Sequence, residues 1–175
     1  MSSCKQNWSS ECENELNQQI NREFQASYYY YSLYCYFSRD TVGLDNIAKF
    51  FKKAYNEEKE HAEILSDYQN LRGGIISLSP INLITMENQS ENKNDVYCSF
   101  ESALHLEKMI NQHLLNLHKT AEKNNDPQFT DFLEGNFLKE QVDSINQISK
   151  ILANLNRIGN DGHGIWDFNK NFDYN

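Results

Sequence analysis

The sequence predicts an all-α fold: a four-helix bundle with one long crossover and a short C-terminal fifth helix. Three observations lead there. Apolar residues recur in alternating steps of three and four along four long stretches, the spacing of a single helix face. Breaker clusters separate most of these stretches: Arg39-Asp40-Thr41-Val42-Gly43, Gly73-Gly74 and Asn125-Asp126-Pro127. One connection, roughly residues 75–94, is far longer than the link that antiparallel neighbours usually need, about 2–8 residues. It is long enough to run the length of the bundle, which sets the third helix parallel to the second. The 175 residues show no internal repeat and no low-complexity segment, and read as one domain over 1–175. Helices are expected at roughly 11–38, 44–72, 95–123, 127–158 and 164–172.

The first helix is expected to open on Ser10-Glu11-Cys12-Glu13, a capping box with Glu13 reaching back to the Ser10 amide. Its stripe is Leu16, Ile20, Glu23, Ser27, Tyr30 and Tyr34. Residues 28–37 are rich in aromatics and suit a strand by propensity, but the helical stripe outweighs that. The second stripe is Leu44, Ile47, Phe51, Ala54, Glu58, His61, Leu65 and Tyr68, closed by Gly73-Gly74 as a C-cap. Asp95 is a good N-cap for the third, which runs Val96, Phe100, Ala103, Glu107, Ile110, Leu114, Leu117 and Ala121. Asn125-Asp126-Pro127 stops that helix and starts the next, with a capping residue and then proline at the first helical position. The fourth stripe is Leu133, Phe137, Gln141, Ser144, Ile148, Ile151, Leu155 and Ile158, ending at Gly159. Glu140 lies about 100° away from that line.

Composition narrows the function. Against 16 basic residues stand 25 acidic ones, a formal net charge of -9. An acidic surface argues against nucleic-acid binding and is compatible with attracting cations. No apolar run approaches the roughly 18 residues of a membrane span. Cys4, Cys12, Cys35 and Cys98 have no metal or disulfide-framework spacing and read as free thiols. The start, residues 1–7, has neither an apolar signal core nor an Arg-rich transit character, so a cytoplasmic location is expected. Asn7-Trp8-Ser9 and Asn88-Gln89-Ser90 match the glycosylation triplet, which carries little meaning without secretion.

Glu58 and His61, three apart, project from one helix face where the pattern calls for core. Burying them unpartnered is costly; a metal removes most of that cost, and so does a hydrogen-bonded Glu–His pair. An E-x-x-H on a bundle helix is also how dinuclear carboxylate proteins supply ligands. The other helices weigh on the choice. Glu23, Glu107 and Gln141 also occupy core phase at matching depth, and five such residues are hard to explain as packing. Oxygen and imidazole donors without thiolates suit iron, manganese or zinc, and bridging carboxylates favour two metals. One metal would take Glu23, Glu58 and His61, the other Glu58, Glu107 and Gln141, with Glu58 shared.

The chain resembles a eukaryotic ferritin of the heavy, ferroxidase-active type over nearly its whole length. The resemblance rests on Ala26-Ser27-Tyr28, Asn56-Glu57-Glu58-Lys59-Glu60-His61-Ala62-Glu63, Glu101-Ser102-Ala103-Leu104-His105-Leu106-Glu107, Asn125-Asp126-Pro127 and Leu138-Lys139-Glu140-Gln141-Val142. It implies a ferritin-like bundle and a hollow homo-oligomeric shell of twenty-four subunits, open to co-assembly with other ferritin subunits. Such a shell oxidises Fe(II) at a dinuclear iron centre with dioxygen or peroxide and stores Fe(III) oxide inside. It makes Glu23, Glu58, His61, Glu107 and Gln141 the ferroxidase ligands and Tyr30 the tyrosine beside them. It further implies that Glu57, Glu60 and Glu63 gather ferric ions on the cavity face. Asp131 and Glu134, with His118, match residues around the three-fold pores. On their own, the first three would be an ordinary solvated face and Asp131 and Glu134 simple helix-start charges.

Three features depart from that pattern. Thr130 stands where relatives often have cysteine. Ser144 is small and polar and leaves room for a water or hydroxyl at the weaker metal. The tail, Gly162 to Phe172, matches the family's fifth helix poorly, and its Asn, Asp and Gly content disfavours helix. Two other readings stand beside ferritin. Dinuclear oxygenases and radical-generating proteins share the bundle but typically need a second E-x-x-H, which Gln141-Val142-Asp143-Ser144 breaks. A non-catalytic binding bundle leaves the five core-phase polar residues unexplained.

Overall fold

Four helical rods, the last of them interrupted, carry the core in a computed structural model that describes residues 2–82, 84 and 92–173. Helix α1 spans Ser10–Phe37, α2 Asp45–Leu71 and α3 Asp95–Lys123. The fourth rod comprises α4, Pro127–Leu133, a π-helical turn at Glu134–Leu138, and α5, Lys139–Ile158. A short α6, Gly162–Asn171, closes the chain. The triplet Asn88-Gln89-Ser90 lies outside the described residues. Among those described, no helix is long and apolar enough to cross a membrane, and all four cysteines are free.

Two caps sit one residue earlier than the sequence suggests. Ser9, in extended conformation, accepts the Cys12 amide at 3.1 Å, so Ser10 is the first helical residue. Glu13 is therefore free to hold the start of the crossover, accepting the Ile75 amide at 2.9 Å. Likewise Asn94, not Asp95, caps α3 by accepting the Tyr97 amide at 2.8 Å. Asp126 caps α4 ahead of Pro127 as expected. At the end of α2, Gly73 takes φ +75°, which only glycine adopts without strain, and its amide closes on the Asn70 carbonyl.

Contacts at the helix ends fix the topology. The phenol of Tyr36, late in α1, donates to Asp95 at the start of α3 at 2.8 Å. At the other end Lys123 pairs with Glu11 at 2.6 Å. Helices α1 and α3 are thus antiparallel. The short 38–44 loop makes α2 antiparallel to α1, so α2 and α3 run parallel, as a full-length crossover requires.

The π turn is the one irregularity in the rods. Leu133, Phe137 and Gln141 are buried at successive steps of four, each of which overshoots an α-helical face by about 40°. A turn with more residues, and so less rotation per residue, absorbs that overshoot and keeps all three inward. Such turns often mark functional sites. α6 forms against its propensity because tertiary contacts hold it. Asn169 accepts the Asn46 and Ile47 amides, each at 3.1 Å, supplying the cap that Leu44 cannot give α2. Phe172 packs its ring 5.9 Å from Phe50 and 6.0 Å from Phe100.

Candidate metal centre

Midway along the bundle the apolar core gives way to a polar one. Glu23 is 0% exposed, Tyr30 1%, Gln141 3%, Glu58 4%, Glu107 4% and His61 9%, so none can rely on solvent. Each arrives there because its helical stripe puts it in phase with the leucines and phenylalanines above and below. All of them but Glu23 line a cavity of about 210 Å³ in the seam between α2 and α5, which pack only loosely against each other.

The two sides of the cavity differ. Ligand atoms of Glu23, Glu58 and His61 all lie within 4.8 Å of one another. Donors bound at about 2 Å to one ion stand at most about 4 Å apart, so a small contraction would close this triad on a cation. Glu23 Oε1 accepts from Gln19 Nε2 at 2.7 Å. Among the described residues, Glu23 Oε2 and Glu58 Oε2 are the buried side-chain atoms left without a hydrogen-bond partner. Opposite, Glu107 is fully engaged: Tyr30 donates its hydroxyl to Oε1, and Gln141 Nε2 donates to Oε2 at 3.0 Å. The same amide also reaches the Glu107 carbonyl at 3.1 Å.

The electrostatics follow from this crowding. Burial, with Glu58 alongside, raises Glu23 well above the usual carboxylate range. Burial and Glu107 raise Glu58. Glu107 is raised by burial too, against the opposing pull of its two donors. For His61 burial disfavours the imidazolium, but the hydrogen bond to Glu140 and the Glu58 carboxylate, its Oε2 3.5 Å from Nδ1, outweigh it and push the pKa up to about 11. The crowding thus favours the protonated forms of these carboxyls and of His61. A divalent cation would displace those protons and serve the orphaned oxygens.

Three participants escape the sequence reading. Glu140 accepts from His61 Nε2 at 3.3 Å although it lies off the apolar line, because the open seam lets a residue from the stripe's edge reach across. That bond holds its carboxyl below the ordinary range. Gln19 orients Glu23 from one turn earlier, a spacing that the sequence does display. Lys53 lines the same cavity as Glu58 and His61.

The remaining expected residues lie apart. Glu57 is half-buried and lines the cavity, whereas Glu60 and Glu63 on the same helix are exposed, with Glu63 paired to Lys59 at 3.3 Å. Glu57 therefore parts company with the other two. His118 Nε2 meets Glu134 Oε1 at 2.7 Å, and its Nδ1 stands 3.7 Å from Glu122. Asp131 is exposed on α4, one turn before Glu134.

Sequence comparison gives this geometry a context. The profile of the ferritin-like domain matches residues 13–158. A chloroplastic ferritin of Malus baccata var. xiaojinensis is 49% identical over 170 residues, which cover 97% of this chain and 68% of the relative. Ferritin-1, chloroplastic, of Pisum sativum is 48% identical, with 97% and 67% covered. Ferritin-4, chloroplastic, of Arabidopsis thaliana is also 48% identical, with 97% and 65% covered. The chain thus spans about two thirds of the length of these relatives. Their names overturn the cytoplasmic expectation: all three are chloroplastic. A compartment address is read by a receptor and not by the fold, so the composition that builds a bundle carries no information about it.

Proposed function

Because this chain belongs to the ferritin family, we propose that it stores iron, oxidising Fe(II) to Fe(III) at a dinuclear centre in each subunit, as heavy-type members do. Glu23, Glu58 and His61 hold one iron; Glu58, Glu107 and Gln141 hold the other, with Glu58 between them. Each Fe(II) gives up one electron, so a paired site hands two together to dioxygen or peroxide. Tyr30, donating to Glu107, fixes that carboxylate beside the reacting pair. The iron is substrate here and must leave once oxidised.

The observation that carries this reading is the pair of orphaned carboxylate oxygens on Glu23 and Glu58, buried beside His61 at the edge of a cavity. A Glu–His pair accounts for only one of them, the Glu58 oxygen 3.5 Å from His61 Nδ1, and leaves the buried Glu23 oxygen without a partner. Two further sets outside the ligand cluster extend the reading to a hollow shell of twenty-four subunits, alone or co-assembled with other ferritin subunits. Glu57, Glu60 and Glu63 collect ferric ions inside, and Asp131, Glu134 and His118 draw cations through a pore. A rival dinuclear oxygenase is disfavoured by Gln141, a neutral amide where a second tight site needs charge.

The test is Glu58→Ala combined with His61→Ala. Initial Fe(II) oxidation should fall by at least about 100-fold, beyond the loss expected from outer-sphere changes, while the assembled particle keeps its size. A double variant that oxidises at the wild-type initial rate would refute the site.

A further inference from the structure

The mouth of the centre carries a charge that an iron site does not need. Of the described residues lining the cavity, five are acids: Glu57, Glu58, Glu107, Glu140 and Asp143. Lys53 is the only lysine or arginine among them. It stands one helical turn before Glu57, with Nζ 3.7 Å from Glu57 Oε1, and its charge also acts on Glu140 across the seam. Half of its side chain is exposed although it lines the cavity, so Lys53 is shared between the cavity and solvent.

We propose that Lys53 is a tethered counter-cation at the mouth of the centre, held between Glu57 and Glu140, which a metal ion must displace on its way through. An ammonium is a point charge on a flexible four-carbon stem, able to swing aside and return without breaking any buried packing. Between passages it neutralises the two mouth acids and keeps a cation from lodging there. It thereby tunes how readily ions enter and clear, and leaves the ligands deeper in the cavity untouched. The inference rests on the centre as the place of iron oxidation, but its decisive readout is metal binding, which needs no oxidation.

The assembled protein is titrated with terbium(III), read by its luminescence, as wild type, Lys53→Arg, Lys53→Gln and Lys53→Gln with Glu140→Gln. The Lys53→Gln variant should bind one terbium per subunit about 3- to 10-fold more tightly, the scale of one partly screened charge. Lys53→Arg should match wild type, and adding Glu140→Gln should remove the gain. In Fe(II) oxidation, KM should fall by a similar factor while kcat stays put. Terbium affinity unchanged in Lys53→Gln, or an Arg variant that behaves like the Gln variant, overturns the proposal. Absence of oxidation in the wild type would count against the ferroxidase reading alone, since the terbium series still decides the role of Lys53.

Discussion

The two halves of the centre solve the same problem in opposite ways. On one side Glu23 and Glu58 are buried with bare oxygens next to a histidine. On the other, Glu107 is saturated by Tyr30 and Gln141 before any metal arrives. Burial raises the carboxyls of both halves, but only Glu107 has both oxygens met by neutral donors, whereas Gln19 meets just one oxygen of Glu23. The first half is thus strained toward a cation and the second is content without one. A storage protein benefits from that asymmetry, because one iron must be held firmly enough to position the other, and both must eventually move on.

The sharpest way to break the comparison is to remove a ligand from the strained half alone. Glu23→Ala should weaken the tighter of two zinc(II) sites by about 100-fold or more, whereas Gln141→Ala should cost the weaker site only about 10-fold. Calorimetric titration of the metal-free protein reads both. Equal losses in the two variants would mean that the halves are equivalent after all.

Much of this was legible in the sequence, for a definite reason. A polar residue in core phase is conspicuous, and Glu23, Glu58, His61, Glu107 and Gln141 all stand out that way. What escaped depends on geometry that periodicity does not encode. Glu140 reaches His61 because α2 and α5 pack loosely, and the π turn inside the fourth rod holds only Gly135-Asn136, too weak a signal by itself to interrupt the apolar stripe. The caps moved by one residue where two capping types are adjacent, Ser9-Ser10 and Asn94-Asp95, and propensity cannot choose between them. α6 owes its existence to Asn169 and Phe172 docking on distant helices, which a local reading weighs at nothing.

A second variant sharpens the asymmetry by erasing it from the other direction. Gln141→Glu exchanges a neutral amide for a carboxylate, adding ligand charge to the weaker half. Zinc(II) should then bind there about 10-fold more tightly, and repeated Fe(II) additions should slow after the first few irons, because product clears less readily. Under mild chelation the wild type should lose its second metal first and the variant should not. A variant that turns over as fast as wild type would sink the proposed role of Gln141.

The smallest effect concerns the metal-free protein and pH. Glu23, Glu58 and Glu107 have raised folded pKa values, so through and above the ordinary carboxylate range the native state binds more protons than the unfolded chain. Stability from these groups is therefore fully present below their unfolded pKa and is lost as pH rises through the folded values. His61 acts in the same direction at higher pH: its imidazolium persists to about 11 in the fold, so its contribution is fully present below the ordinary histidine pKa and is lost steadily from there up to about 11. Each retained proton tilts stability by at most about 1.4 kcal/mol per pH unit. At this chain length that amounts to a few degrees in Tm, about 2–4 °C per kcal/mol. Metal-free protein should accordingly lose Tm as pH rises above the ordinary carboxylate range, and zinc(II) should cancel most of the slope by taking the protons' place. Glu58→Gln, which cannot ionise, should flatten the metal-free slope, while Gln141→Ala, which leaves the strained half intact, should keep it. A metal-free Tm that rises with pH above that range would contradict the picture of a proton-holding acid cluster waiting for a cation.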